Sequence, residues 1–216
     1  MTLGKPEIIL LGCGGHAESV IDSIESSGIY QIVGLVDQDN STFQYRSYPV
    51  IGCDDDLVKI FHSGIRCAFI CVGFMGRSHL RQRLYQRLRD IGYTLPIIQD
   101  PSSAVAPDAV IGEGTFIGKK TVVNSKAVIG KNVILNTGAL VEHGCQVGDY
   151  THIAVSSTLC GNVSVGENCF VGAGSVILQG VNIAEEGMIG AGSIIRKDTP
   201  PKSLVYTEKV VHTVPI

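Results

Sequence analysis

Residues 127–153 read AVIGKNVILNTGALVEHGCQVGDYTHI, and branched aliphatic residues recur in this stretch at every sixth position. The spacing continues in both directions without a failed step. The aliphatic positions are Val105, Ile111, Ile117, Val123, Ile129, Leu135, Val141, Val147, Ile153, Leu159, Val165, Val171, Ile177, Ile183, Ile189 and Ile195. A fixed short period is typical of a solenoid whose repeats bury their faces only by stacking. Three repeats complete a triangular coil, so the run predicts a parallel β-helix of about five coils.

The residues beside these aliphatic positions fit the same interpretation. The residue two positions earlier is mostly small, and Cys145 and Cys169 occupy such slots, so we expect both cysteines to pack rather than react. Glycine often follows the aliphatic residue, where we expect a tight corner with positive φ. These glycines are Gly112, Gly118, Gly130, Gly148, Gly166, Gly172 and Gly190.

The first hundred residues follow a different pattern, in which short apolar runs alternate with amphipathic segments. This alternation predicts a parallel sheet with right-handed crossovers. We therefore expect two domains, a short Rossmann-like α/β domain over residues 1–100 and the β-helix over residues 101–216. The predicted strands cover residues 8–11, 32–36, 67–72 and 95–98, and the main predicted helices cover residues 16–27 and 78–91, the latter with Leu80, Leu84 and Leu88 inward.

Composition excludes several classes of function. The 216 residues carry a net charge of −3, whereas nucleic-acid binding needs a clustered excess of Lys and Arg. Seven cysteines without a CxxC pair suggest neither a disulfide framework nor a zinc site, and they favour a reducing cytoplasm. No segment approaches the roughly 20 apolar residues of a membrane span. We expect a cytoplasmic protein with a small-molecule partner and no bound metal.

Two histidines interrupt a repeat that has no structural need for them. His143 lies two residues after an inward aliphatic residue and His152 lies one residue before one, so we expect both to project outward. A prism with flat faces has no cleft of its own. A substrate site is therefore expected in the groove between neighbouring prisms, which a symmetric trimer would supply.

A glycine-rich turn follows the first predicted strand, with the sequence Gly12-Cys13-Gly14-Gly15-His16-Ala17, and Asp37 ends the second strand. The arrangement satisfies much of the dinucleotide fingerprint, so NAD is one interpretation. The physical requirement is broader, because glycines let the N–H groups of a helix N-terminus approach any phosphate. We favour ligand contact over helix-start packing for His16. The basic positions Arg77, Arg81, Arg83, Arg87 and Arg89 are predicted to form a solvated helix face.

The repeat, the 12–17 turn and the segments Glu142-His143 and Gly148-Asp149-Tyr150-Thr151-His152 together resemble the hexapeptide-repeat (left-handed β-helix) sugar acetyltransferases. Within them the chain is similar to sialic-acid O-acetyltransferases and UDP-4-amino-sugar N-acetyltransferases of bacterial surface-glycan synthesis. The resemblance implies a left-handed β-helix and an acetyl-CoA-dependent N-acetyltransferase acting on a UDP-linked 4-amino-4,6-dideoxy sugar. The alternative is O-acetylation of a sialic acid or a related sugar. A homotrimer is also implied.

The same resemblance implies roles for particular residues. His143, with Glu142 beside it, would be the general base of a direct acetyl transfer, for which the ordinary imidazole pKa of about 6.5 is well suited. The implied contacts are Gly14, Gly15, His16, Asp37, Gly73 and Asn136 for the nucleotide sugar, and His152, Gly161, Ala173 and Ala191 for acetyl-CoA.

The chain departs from the family pattern at two places. Gly144 follows His143, where the N-acetyltransferases commonly carry an acidic residue that raises the basicity of the histidine. Residues 203–207 replace a Gly-x-Pro-Ala segment after the last coil. A non-catalytic assembly module is the interpretation from a different class, since a β-helix can serve as a structural trimeriser.

Overall fold

The computed structural model of the chain describes residues 4–38, 43–74 and 79–207. Its N-terminal half is built around a five-stranded sheet flanked by helices. The elements of this half are β1 (Glu7–Leu11), α1 (Gly15–Ser27), β2 (Gln31–Val36), β3 (Gln44–Tyr45), β4 (Tyr48–Gly52), a 3₁₀ helix (Asp54–Asp56), α2 (Leu57–His62), β5 (Cys67–Ile70) and α3 (Leu80–Ile91).

The strand order of this sheet is β3-β4-β2-β1-β5, and every pair is parallel except β3 with β4. The interior strand β1 is buried from Ile8 to Leu11 because both faces of the sheet are covered. The parallel sheet and its helices confirm the sequence prediction. The β3–β4 hairpin was not predicted, and Leu80 is 37% exposed rather than inward.

The rest of the chain winds through three stacked parallel sheets of a left-handed β-helix. Sheet I contains β6 (Ile98–Gln99), β9 (Phe116–Ile117), β12 (Ile134–Leu135), β15 (His152–Ile153), β18 (Phe170–Val171), β21 (Met188–Ile189) and β23 (Leu204–Val205). Sheet II contains β7 (Ala104–Val105), β10 (Val122–Val123), β13 (Leu140–Val141), β16 (Thr158–Leu159), β19 (Val176–Ile177) and β22 (Ile194–Ile195). Sheet III contains β8 (Val110–Ile111), β11 (Val128–Ile129), β14 (Gln146–Val147), β17 (Ser164–Val165) and β20 (Asn182–Ile183).

Each coil visits sheets I, II and III in turn, and stacked strands pair in register, as Val123 does with Val141. The second residue of each strand points inward, so that the predicted aliphatic positions form one apolar core. Cys145 and Cys169 are fully buried within it, as expected. The fold prediction is therefore confirmed.

The glycines after the aliphatic residues serve a different purpose from the one predicted. None of the seven has a positive φ. The left-handed residues lie two positions later, at corner residues such as Asn132, Tyr150 and Asn168. The earlier glycines allow close stacking: a Cβ atom on Gly112 would lie 2.5 Å from the backbone of Gly130 in the next coil. Close approach of backbone, rather than positive φ, explains them.

The two halves share a core along the outer face of sheet I. Phe116 and Ile134 point out of the coils and pack with Ala17 and Val20 of α1. The predicted strand over residues 95–98 was assigned wrongly, because Ile98–Gln99 pairs with β9 and belongs to the β-helix. The domain division at residue 100 stays a prediction.

Arg81 contradicts the predicted solvated face of α3. Its side chain is buried against the β-helix, with only 3% of the residue exposed, while Arg83 and Arg87 are exposed. Arg89 is half-exposed and pairs with Glu113, and Arg77 lies outside the described residues. None of the helices within the described ranges is long and apolar enough to cross a membrane.

Candidate active site

A cavity of about 380 Å³ opens at the carboxyl ends of β1, β2 and β5. In a parallel sheet this edge is where ligands usually bind, because loops and helix N-termini converge there. The structure brings five of the predicted nucleotide-sugar residues together in its wall. They are Gly14, Gly15, His16, Asp37 and Gly73.

The glycine turn lines this cavity and leaves free space beside its backbone. Gly12 has φ +102° and needs glycine, whereas a Cβ atom on Gly14 or Gly15 would meet nothing within 4 Å. The folded chain alone therefore gives no steric reason for glycine at the last two positions, and the free space suits a ligand that approaches the backbone closely. Asp37 fixes the turn, because its carboxylate accepts a 2.6 Å hydrogen bond from the Cys13 N–H.

His16 lies between the cavity and the β-helix. Its ring packs edge-on against Phe116 of sheet I, with centroids 5.1 Å apart, and its buried Nε2 has no hydrogen-bond partner among the described residues. Burial, assisted by the charge of Arg81, lowers the pKa of His16 to about 3. The ring is therefore neutral near pH 7 and contributes no positive charge toward a phosphate.

His152 is connected to both halves of the chain. Its Nδ1 lies 2.7 Å from the Phe74 carbonyl oxygen, and its Nε2 lies 3.3 Å from Nδ2 of Asn136. Because Oδ1 of Asn136 accepts the Thr137 N–H, the amide NH₂ faces His152 and donates to Nε2. Nδ1 then carries the proton and donates to Phe74. His152 projects out of the coil, as expected, but the N-terminal half covers it, so that only 9% of the residue is exposed.

The electrostatics of His152 follow from this enclosed position. Burial lowers its pKa to about 4, although the hydrogen bond to Phe74 opposes the shift and the charge of Arg81 adds to it. The imidazole is neutral near pH 7, with both ring nitrogens engaged. His152 is therefore held in one orientation and one tautomer.

His143 has the opposite setting, at the corner that joins sheets II and III. The residue is exposed, as predicted. Glu142 accepts the backbone N–H of His143 at 3.2 Å through its carboxylate. The His143 ring stacks over Gly161 of the next coil, where a Cβ atom would lie 2.5 Å from Cε1 and 2.7 Å from Nε2. Glycine at position 161 thus makes room for the ring.

Gly144 has φ +68°, and a Cβ atom there would lie 2.3 Å from Oδ1 of Asn162. An acidic side chain at this position would have to adopt the left-handed conformation and displace Asn162. Because other corners hold residues such as Lys126 in the same conformation, the backbone does not forbid a side chain at position 144.

Comparison with known proteins agrees with this geometry. The family model described as the PglD N-terminal domain matches residues 7–88. Two hexapeptide models, bacterial transferase hexapeptide and hexapeptide repeat of succinyl-transferase, match residues 108–143 and 162–197. A 112-residue segment is 30% identical to an uncharacterized protein of Acanthamoeba polyphaga mimivirus, and it spans only 21% of that protein.

Solved structures match over nearly the whole chain. PerB from Caulobacter crescentus, solved with CoA and GDP-perosamine, is 34% identical, with 94% of this chain and 95% of that chain covered and a TM-score of 0.86. The chain belongs to the hexapeptide-repeat sugar acetyltransferases. The acetyltransferase domain of PglB from Neisseria gonorrhoeae, solved with acetyl-CoA, is 28% identical over 92% of this chain and 94% of that chain, with a TM-score of 0.83.

Within one chain of this acetyltransferase, the predicted site residues fall into three separate groups. The first lines the cavity at the carboxyl ends of β1, β2 and β5. The second lies at or beside the edge between sheets I and II and consists of Asn136, His152, Ala173 and Ala191. The third lies on the edge between sheets II and III and consists of Glu142, His143 and Gly161. The full width of sheet II separates the second group from the third.

Three residues of the site region were missed by the sequence interpretation. The Tyr45 hydroxyl donates to the Gly14 carbonyl at 3.0 Å, the Phe74 carbonyl binds His152, and Arg81 reaches the β-helix. All three act across long sequence separations. Only the position of Arg81 on α3, one turn before the buried Tyr85, could have hinted at an inward face.

Proposed function

We propose that this acetyltransferase transfers the acetyl group of acetyl-CoA to the amino group of a nucleotide-linked amino sugar. The observation that carries the proposal is the near full-length match to PerB, whose structure holds CoA and GDP-perosamine. The open glycine-lined cavity and the exposed His143 ring are consistent with it. The family resemblance favours UDP and a 4-amino-4,6-dideoxy sugar, whereas the nucleotide in PerB is GDP.

The chemistry needs one base and little else from the protein. The sugar amine attacks the thioester carbonyl, His143 accepts the amine proton as the C–N bond forms, and the C–S bond then breaks to release CoA. The proton passes from His143 to the CoA sulfur or to solvent. A base in this position is typically worth 10²- to 10⁴-fold in rate. Glu142 would hold the backbone of His143 through its bond to the N–H group.

We assign His152 a role different from that of a proton carrier. With Nδ1 donating to Phe74 and Nε2 accepting from Asn136, the ring orients the Asn136 amide beside the edge that Ala173 and Ala191 continue. Contact of His152 with acetyl-CoA stays a prediction. To donate a hydrogen bond to the acetyl oxygen, the ring would need to exchange its Nδ1 proton for one on Nε2.

The separation of the site residues supports a homotrimer as part of this proposal. One chain presents His143 on one edge, beside Gly161, and the other three predicted cofactor residues on another. The two edges can act together only across neighbouring copies. Sheet II between these edges offers an uncharged outer surface suited to such packing. Its outward residues are Ala104, Val122, Leu140, Thr158, Val176 and Ile194. The cytoplasmic location also stays a prediction.

A thiol-release assay tests the proposal directly. The protein is incubated with acetyl-CoA and UDP- or GDP-linked amino sugars, and free CoA is measured together with the mass of the acetylated product. Each sugar is paired with its hydroxyl counterpart on the same nucleotide. We expect CoA release with at least one amino sugar and none with its hydroxyl partner. Absence of CoA release with every amino sugar tested would rule out the proposal.

O-acetylation of a sialic acid is the second candidate, and the specific observation in its favour is Gly144 in place of an acidic residue. A free sialic acid in the same assay decides between them. CoA release with the sialic acid and with no amino sugar would establish the O-acetyltransferase. Absence of release with either class would favour a non-catalytic assembly module.

A further inference from the structure

Arg81 is a buried cation whose hydrogen-bond partners are all neutral. Its guanidinium donates to the Tyr150 carbonyl at 3.1 Å, to Oδ1 of Asn132 at 2.7 Å and also to the Asn132 carbonyl. No carboxylate of the described residues is among its partners, and Nε has none. Burial lowers the pKa of Arg81 to about 9. Burying a charge without a counter-ion opposes folding, so an apolar residue would serve better than arginine if the side chain only filled space.

The acceptors that Arg81 reaches are corner carbonyls of two successive coils. Asn132 and Tyr150 are stacked corner residues with φ +52° and +60°. Their N–H groups donate to the carbonyl oxygens of Glu113 and Lys131 in the preceding coils, so these donors are satisfied within the β-helix. The carbonyl groups of Asn132 and Tyr150 face outward. A planar guanidinium can bond to both coils at once, which the ammonium group of lysine does less well. Arg81 therefore fixes α3 at one height along the β-helix.

The helix that carries Arg81, α3, also forms a wall of the cavity at the carboxyl ends of β1, β2 and β5. Leu80 and Leu84, on either side of Arg81, line that cavity together with Gly73. The next residue, Phe74, places its carbonyl 2.7 Å from Nδ1 of His152. The contacts of Arg81 and His152 thus connect one wall of the cavity to consecutive coils of the β-helix. The position of a bound nucleotide relative to the β-helix depends on both.

We propose that Arg81 is a positioning residue, which sets where the sugar of a cavity-bound nucleotide lies relative to the edge between sheets I and II of the β-helix. The inference rests on the proposed function for its substrate. Arg81 touches no predicted ligand, since it does not line the cavity. Its loss should therefore leave nucleotide binding intact and disturb the alignment of the amine, for which errors of about 1 Å can cost about 100-fold in rate.

The test compares Arg81→Met and Arg81→Lys with Arg83→Met, a control on the exposed face of the same helix. Steady-state kinetics gives kcat and KM, and calorimetry gives the Kd of UDP and of GDP alone. For Arg81→Met we expect kcat to fall about 10- to 100-fold, with a nucleotide Kd within about threefold of wild type. Lysine should recover part of the rate, and Arg83→Met should match wild type.

A kcat of Arg81→Met within about threefold of wild type would overturn the proposal. A loss of nucleotide affinity as large as the loss of kcat would also overturn it, because a general loss of structure would then explain both effects. If Arg81→Met does not fold, Asn132→Gly takes its place, since glycine keeps the left-handed backbone and removes the side chain that supplies the Oδ1 acceptor. We expect a smaller fall in kcat, about three- to tenfold, and an unchanged kcat would again count against Arg81.

A substrate-free measurement separates this inference from the proposed function. The ¹⁵N and ¹H signals of the His152 ring report its Nδ1–H bond to Phe74, and His152→Leu assigns them. Arg81→Met should shift these signals or speed exchange of that proton, whereas Arg83→Met should not. Unchanged His152 signals in Arg81→Met would contradict the positioning role even if no amino sugar proved to be a substrate.

Discussion

His143 and His152 occupy neighbouring repeats, yet the fold gives them opposite surroundings. His143 is exposed at a corner, and its ring rests over a glycine. His152 is buried beneath the N-terminal half, with both nitrogens bonded and its pKa lowered to about 4. A group that carries a proton must reach the substrate, whereas a group that fixes geometry must not move. The comparison supports the proposal that His143 carries the proton and that His152 fixes the geometry.

The largest effect is expected from His143→Ala. Removal of the base should lower kcat by about 10²- to 10⁴-fold and leave both KM values within a few-fold. The control is His62→Ala, which changes an exposed histidine of α2 that does not line the cavity. Turnover of His143→Ala equal to that of the control would show that His143 is not the base.

Gly161→Ala should separate the position of the His143 ring from its presence. The added methyl group would lie 2.5 Å from Cε1 of His143, and the ring is the flexible partner, so it should move while the coil stays intact. We expect kcat to fall about 10- to 100-fold with little change in the melting temperature. Cys160→Ser is the control in the same coil. A fully active Gly161→Ala enzyme would mean that the ring position seen here is not the working one.

His152→Leu should affect stability more than chemistry. The substitution leaves the Phe74 carbonyl and the Asn136 amide without their partner, which should lower the free energy of unfolding by about 1 to 3 kcal/mol. We expect kcat to fall by no more than about tenfold. Phe170→Leu, which removes the ring contact with His152 but keeps both hydrogen bonds of His152, is the control. A loss of rate equal to that of His143→Ala would place His152 in the chemistry instead.

The pH dependence of stability should report the buried histidines. The pKa values of His152 and His16 are about 4 and about 3 in the folded chain, against 6.5 when exposed. Below pH 6.5 the unfolded chain binds more protons, so stability falls as pH falls, by about 1.4 kcal/mol per pH unit for each histidine. Urea unfolding at pH 7, 6 and 5 and fixed protein concentration measures this slope. His152→Leu should reduce it, and an identical slope would show that His152 is not buried as a neutral ring.

The β-helix could be predicted from sequence because its periodicity is local and repeats without a break. The outward position of His143 followed from the same register. The register does not predict what covers an outward residue. Phe116, Ile134 and His152 also point out of the coils, but they lie beneath the N-terminal half. The repeat determines which side of a strand faces the core, and contacts across long separations determine which outer face meets solvent.

The cavity in the N-terminal half was also only partly predictable from the sequence. The glycine turn and Asp37 form a recognisable spacing, and the structure places them together. Tyr45 and Arg81 belong to no sequence motif, because the backbone carbonyls to which they donate come near them only in the folded chain. Helical periodicity places Arg81 on α3 but cannot distinguish a solvated arginine from one bonded to another domain.

The proposed function requires that His143 of one copy works with the cavity and with the edge between sheets I and II of another. Mixing two inactive variants tests it most directly: His143→Ala, and Gly15→Glu, which places a carboxylate in the open space of the pocket. After unfolding and refolding together in equal amounts, a shared site predicts that about one quarter of wild-type activity returns, because about one site in four combines two intact contributions. Activity no higher than that of the variants refolded separately would contradict the account.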